Sequence, residues 1–243
     1  MSHYLRKQTG LTPPRSPLKT CVIVLNYHLP KCTEYLWRQA EVRVCADGGA
    51  LRLRQLQIKD CPAPHFVVGD LDSVTRDVLG AYEKEGTEVL DLSHDQDTTD
   101  LDKCYRVIQE KTNIFKESDD GSAVLVLGAF GGKWDREMSN LHVMMKYRHI
   151  KSVLVGDSSH AHLLLPGVNT IEMDFELEGP GCALIPLGHK CLVTTKGLKW
   201  NLQEQHLSFG DLVSTSNQAV QNEILVETDN PLVWVVDSNL SYL

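Results

Sequence analysis

The sequence predicts an α/β chain in two parts: a mostly parallel sheet with helices first, then an antiparallel β-sandwich. Three observations lead there. Up to about residue 155, continuous apolar runs of strand length alternate with longer segments of helical spacing, the pattern of a sheet covered on both faces. From Gly156 onward, short apolar runs divided by Gly, Pro and Asn follow one another closely, a spacing that suits an antiparallel sandwich or small barrel. Acidic residues gather just beyond the strands of the first part, where open parallel sheets bind their ligands.

Taken in order, residues 1–18 hold Pro13, Pro14 and Pro17 among polar residues and read as a flexible leader. Residues 21–26 (CVIVLN) are an apolar run expected of a strand buried on both faces, and a helix is expected over 33–39. The next strand starts at Val42 and ends in Asp47, Gly48 and Gly49. These glycines let backbone approach a ligand, and a helix beginning near Ala50 would aim its N-terminal amides there. Strand 66–68, helix 74–85 and strand 87–91 follow. Leu101, Cys104, Tyr105 and Ile108 have the spacing of a helical core face, so Asp100 lies near a helix start. Strand 122–127 leads into the glycine-rich turn GAFGGKWD, and a helix containing Leu141, Val143, Met144 and Met145 precedes strand 152–155. The expected division is a Rossmann-like domain over 19–157 and a β-sandwich over 158–243.

At 243 residues the chain can bury a sizeable core, and 42% hydrophobic with 23% charged residues is ordinary for a soluble globular protein. The formal net charge of −8 argues against binding nucleic acid or an anionic membrane, since both need a basic surface. An acidic chain that holds a polyphosphate needs a metal and a few local cations. Seven cysteines without a CxxC pair suggest neither a zinc site nor a disulfide framework, and a reducing, cytoplasmic home follows. No run approaches the roughly 20 apolar residues of a membrane span.

Asp70 and Asp72 follow the apolar run Phe66, Val67, Val68 and a glycine. Residues i and i+2 of an extended strand share a side, so these carboxylates can converge on one cation. A denser set, Asp95, Asp97 and Asp100, comes with Gln96, Thr98 and Thr99 between them. Many acids on small turn-type residues suit a hard cation such as Mg²⁺, held by carboxylates and substrate phosphates. The competing reading is turn and helix-capping chemistry, for which Asp is equally well made, and either cluster alone favours it. Two clusters together favour the cation. His160 and His162 alternate on a strand without a third ligand and read as structural. The chain contains no GxxxxGK[ST] segment, and no GxGxxG opens its first βα turn.

The succession CADGGA, VVGDLDS, DQDTTD followed by Lys103, LGAFGGKWD, GLKWNL and LVSTSN resembles the eukaryotic thiamin pyrophosphokinases, from about Cys21 to Trp234. The resemblance implies an enzyme that transfers the diphosphate of ATP to the hydroxyethyl oxygen of thiamin with Mg²⁺, releasing AMP. It also implies a homodimer with thiamin bound where domains and subunits meet. Carried over by position, Asp70, Asp72 and Asp100 look like the catalytic, metal-binding cluster. Asp47 with Gly48 and Gly49, and Asp97, Thr99, Lys103 and Lys133, fall on the nucleotide side. Gln96, Asp135, Trp200, Ser214 and Ser216 fall on the thiamin side. Lys133 departs from the family's usual arginine after the glycines; lysine keeps a charge but lacks the planar fork.

Three points stay open on the residues alone. Lys103 fits a phosphate-binding cation and a solvated helix face equally. Trp200 fits core packing as well as a face for the thiazolium. The hydroxyl's base is Asp72, Asp97 or Asp100, of which Asp100 is the choice. Two other functions fit the same acids: another Mg²⁺-dependent transferase or hydrolase that uses a nucleotide, and a non-catalytic sensor of nucleotide or thiamin.

Overall fold

The computed structural model describes residues 19–115 and 122–239, so the expected leader over 1–18 lies outside the described residues. The described chain divides into two compact units, one ending at Asp157 and the other starting at Ser158.

In the first unit strands and helices alternate: β1 (Thr20–Val24), α1 (Thr33–Gln39), β2 (Val42–Ala46), α2 (Gly49–Gln55), β3 (Phe66–Gly69), α3 (Arg76–Lys84), β4 (Glu88–Asp91), α4 (Asp100–Lys111), β5 (Ala123–Leu127), α5 (Trp134–Lys146) and β6 (Ser152–Val155). The strands run parallel in the order β6-β5-β1-β2-β3-β4. The Val, Ile and Leu of β1, β5 and β6 are almost wholly buried, as expected for strands with helices on both faces, and edge strand β4 is the exposed one. Each such fully buried side chain stabilises the fold by roughly 1.5–3 kcal/mol. Because β2 and β5 lie on opposite sides of β1, the strand order reverses at β1 and β5. A crevice opens beyond the carboxyl ends of the strands at such a reversal.

The second unit is antiparallel throughout. One set of strands runs β12 (Ser214–Gln218), β9 (Glu178–Ile185), β14 (Leu232–Ser238), β7 (Ser159–Leu164). A four-stranded sheet runs β11 (Gln205–Leu207), β10 (Cys191–Lys196), β13 (Glu223–Thr228), β8 (Gly167–Glu172). Alternate residues of both sets, among them Leu164, Leu184, Val193, Leu207, Val226 and Trp234, meet in one core, which makes the unit a sandwich. All seven cysteines are free, and among the described residues no helix is long and apolar enough to cross a membrane.

Candidate active site

The acids meet because three chain segments turn sharply at the ends of β2 and β3 and the start of α4. Asp47, directly after β2, takes a left-handed φ of 41°, a conformation that short polar side chains tolerate. It is 3% exposed, its N–H donates to Val68 O at 2.8 Å, and its Oδ1 accepts from Ser73 N at 3.3 Å. Gly69 closes β3. A Cβ there would lie 2.7 Å from Asp47 Cβ and 3.1 Å from Asp100 Oδ1, so only glycine lets these acids approach. Asp70 comes next, and Asp100 is the first residue of α4. The outcome is a set of three carboxylates, Asp47, Asp70 and Asp100, each with an oxygen within 4.8 Å of the others.

Asp72 is not in that set. The expectation that Asp70 and Asp72 share a side required an extended chain, but β3 ends at Gly69 and Leu71 takes φ 60°, so the chain between them is not extended; the Asp72 charge still acts on Asp100. Asp72 is exposed and accepts from its neighbour's Ser73 Oγ at 2.8 Å. Asp47, buried at the end of the neighbouring strand, stands in the place Asp72 was expected to fill.

The crowding perturbs protonation. Burial, and then the charges of Asp70 and Asp47, push the Asp100 carboxyl up to about 6. Burial also raises Asp47, against hydrogen bonds from Ser73 and Gly48 that pull it down. Lys103 is 2% exposed, with Nζ 3.8 Å from Asp100 Oδ1, so it belongs to the cluster and not to a solvated helix face. Carboxylates that raise one another in this way make a donor set for a hard cation.

The loop before α4 divides into different jobs. Asp95 accepts from Thr98 Oγ1 at 2.8 Å and from Asp97 N and Thr98 N, both at 3.2 Å, and pairs with the Arg106 guanidinium from α4. The Thr98 hydroxyl and then Arg106 hold its carboxyl down at about 2. Asp95 is therefore a brace of the loop. Thr99 caps α4 by accepting from Asp102 N at 3.3 Å, so the capping reading holds for this side chain. Asp97 is exposed, and its N–H donates to Asp95 Oδ1. Gln96 lines the cleft while donating Nε2 to Ser93 O at 2.7 Å. Arg106 was missed from sequence. Its position on the same helix as Lys103, behind a loop of acids, is the signal that could have found it.

Asp70, Gln96, Thr99, Asp100 and Lys103 line one cleft of about 780 Å³ at the strand-order reversal, together with Asn26 and Tyr27 after β1, Arg52 on α2, and Lys133 and Asp135 at the start of α5. The Tyr27 hydroxyl donates to Gly131 O, and the Gly131 N–H donates to Glu137 Oε1 at 2.7 Å. Gly48 and Gly49 are not on the cleft. A Cβ at Gly49 would lie 2.2 Å from Val24 O, and one at Gly48 2.3 Å from Asn26 Nδ2. Gly49 permits the close approach of α2 to β1, and Gly48 that of the Asn26 amide.

In the second unit Trp200 is 54% exposed, with Lys199 Nζ 4.6 Å above its ring, so it is not a core tryptophan. Buried Asn217 fixes its backbone: Trp200 N donates to Asn217 Oδ1 at 3.2 Å and Asn217 Nδ2 donates to Trp200 O at 2.8 Å. Asn217 Nδ2 also reaches Ser214 Oγ at 3.4 Å, and adjacent Ser216 is exposed with φ 56°. Trp200, Ser214 and Ser216 are thus gathered around Asn217, which the sequence did not single out. His160 is buried against Glu178 at 3.4 Å and Ser238 Oγ at 2.8 Å, a structural pair.

The family model described as "Thiamin pyrophosphokinase, catalytic domain" matches residues 33–155, and "Thiamin pyrophosphokinase, vitamin B1 binding domain" matches residues 168–233. Thiamine pyrophosphokinase 1 of Arabidopsis thaliana is 41% identical over 229 residues, covering 88% of this chain and 85% of the relative. Thiamine pyrophosphokinase 1 of Oryza sativa subsp. japonica is 39% identical over 229 residues, with 88% and 86% covered. Among solved structures, thiamin pyrophosphokinase from Candida albicans superposes with a TM-score of 0.79 at 23% identity, over 94% of this chain and 95% of that one, a likeness of fold. With both halves matched and such relatives spanning most of its length, the chain belongs to the thiamin pyrophosphokinase family.

Proposed function

We propose that the chain transfers the diphosphate of ATP to the hydroxyethyl oxygen of thiamin, giving thiamin diphosphate and AMP, with Asp47, Asp70 and Asp100 holding Mg²⁺. The observation that carries this reading is the convergence of three carboxylates within 4.8 Å, beside buried Lys103, in a member of this family. The donor set fits the ion: all ligands are hard oxygens, and mutual repulsion at Asp100 leaves the cluster short of positive charge. When bound, Mg²⁺ supplies charge neutralisation for the phosphates, which a cluster of acids would otherwise repel.

The residues of the chain do the rest by position. Lys103 and Lys133 neutralise phosphoryl oxygens as the thiamin alcohol attacks the β-phosphorus in line with the departing AMP. Asp100 receives the hydroxyl proton at its carboxylate. Gln96 and Asp135 line the thiamin side of the cleft, and Trp200 with Ser214 and Ser216 forms a thiamin-facing surface in the second unit, the exposed indole suiting a cationic thiazolium. The first unit is the nucleotide-binding, catalytic domain and the second the thiamin domain, in a cytoplasmic homodimer.

AMP release on mixing ATP, Mg²⁺ and thiamin tests the reading. Binding of both substrates without turnover would replace it with a sensor, and AMP formed only with another acceptor would replace thiamin.

A further inference from the structure

We propose that Arg52 is a phosphate-binding residue of this cleft, held in place by Asn26, and that it grips the triphosphate of the nucleotide; this deepens the reading above and rests on it. Arg52 stands on α2, an element from which the sequence suggested no cation, and it lines the same cleft as Asp70, Asp100 and Lys103. Its Nε donates to Asn26 Oδ1 at 3.1 Å, and Asn26, just beyond β1, lines the cleft as well. Three other arginines of the first unit pair with acids: Arg38 with Glu34, Arg54 with Glu85 and Arg106 with Asp95. Arg52 has no carboxylate partner among the described residues, although the chain carries a net charge of −8.

The anchoring is selective. The inner nitrogen is tied, while the two terminal nitrogens have no partner among the described residues. Those two are the ones that form arginine's planar fork toward a pair of phosphate oxygens. Asn26 is itself accommodated by the fold. A Cβ at Gly48 would fall 2.3 Å from its Nδ2 and 2.6 Å from its Cγ, so glycine at 48 leaves the amide where it meets Arg52. An exposed arginine with a dedicated amide partner and an open fork, beside a cluster of acids, is arranged for an anion that arrives with the substrate.

Arg52→Gln, Arg52→Lys and Asn26→Ala would be compared with the natural chain by steady-state kinetics, varying ATP and thiamin separately at saturating Mg²⁺. Calorimetric titration with a non-hydrolysable ATP analogue would run alongside. Arg52→Gln is expected to raise KM for ATP and Kd for the analogue about tenfold or more, leaving KM for thiamin within about twofold. Arg52→Lys should recover part of this, since it keeps the charge and loses the fork. Asn26→Ala should give a smaller shift of the same kind, because it frees the side chain without removing it. Unchanged ATP affinity in a folded Arg52→Gln chain overturns the proposal, as does an equal rise in both KM values, the sign of general distortion. If Arg52→Gln fails to fold by circular dichroism, Arg52→Lys with unchanged ATP affinity overturns it in the same way. Failure of the natural chain to make AMP defeats the underlying activity instead, and the analogue titration then still decides whether Arg52 binds phosphate.

Discussion

Two groups of carboxylates only a few residues apart behave in opposite ways. Asp95 is surrounded by donors, two backbone N–H groups, the Thr98 hydroxyl and Arg106, and its carboxyl is held down at about 2. Asp100, five positions later, faces Asp70 and Asp47 with only Lys103 to offset them, and its carboxyl is pushed up to about 6. The sequence presents both as members of one acidic run. The difference lies in the neighbours: hydrogen-bond donors and a guanidinium surround Asp95, which makes it scaffold, while Asp100 stands among other carboxylates with Lys103 as its nearby cation. Titratable groups with environments that push them apart mark different roles.

The contrast makes its strongest demand on Asp100→Asn. It should cost about 10²–10³-fold in kcat with the fold preserved, read by AMP formation and circular dichroism. Near-normal turnover would take Asp100 out of the chemistry and erase the distinction. Arg106→Ala and Asp95→Asn should cost less, about tenfold, because they let the loop shift instead of removing a reacting group. Both should also make the loop exchange its amide hydrogens faster. Losses as large as that of Asp100→Asn would move Asp95 from scaffold to site.

Trp200→Ala extends the comparison to the second unit, where the indole is held by its backbone and open on its face. KM for thiamin should rise about two- to fivefold with little change in KM for ATP. An unchanged thiamin KM would leave the exposed indole without this role.

The smallest effect is in pH dependence, and its sign separates the two acids. With Asp100 raised from an ordinary 3.8 to about 6, the folded chain binds more protons than the unfolded one between those values. Metal-free stability contributed by this group therefore falls as pH rises through that window. Asp95, lowered to about 2, contributes stability that is present above pH 4 and lost as pH falls toward 2. Melting temperatures of the metal-free chain across this range should lose the first trend in Asp100→Asn and the second in Asp95→Asn. The same trend in both variants would mean that the two environments do not differ.

Much of the fold was legible because its signals are local. The apolar runs of β1, β5 and β6 and the helical spacing of Leu101, Cys104, Tyr105 and Ile108 report burial directly. Boundaries shifted where caps intervene: α3 begins at Arg76, after extended Thr75, and not at Val74. The candidate site was less legible. Nothing in GDLDS reveals that Leu71 turns left-handed and that Asp72 falls outside the converging set, or that Asp47 lies beside Asp70. Nor does the spacing of Lys103 say that it is buried. Gly48 and Gly49 looked like ligand-approach glycines because a glycine pair reads the same whether a phosphate or the chain's own Asn26 and β1 fill the space.

By itself, then, the sequence determined the alternation of strands and helices, the change to antiparallel structure after Gly156, and the blocks that identify the family, because hydrophobic period and short motifs act over a few neighbouring residues. Only the tertiary structure decided which acids meet, which one Arg106 satisfies, and that Asn26 ties Arg52 at the cleft. Those outcomes depend on strand order and on a few left-handed turns. They bring together residues far apart in the chain, and the resulting burial and charge set the chemistry of each group.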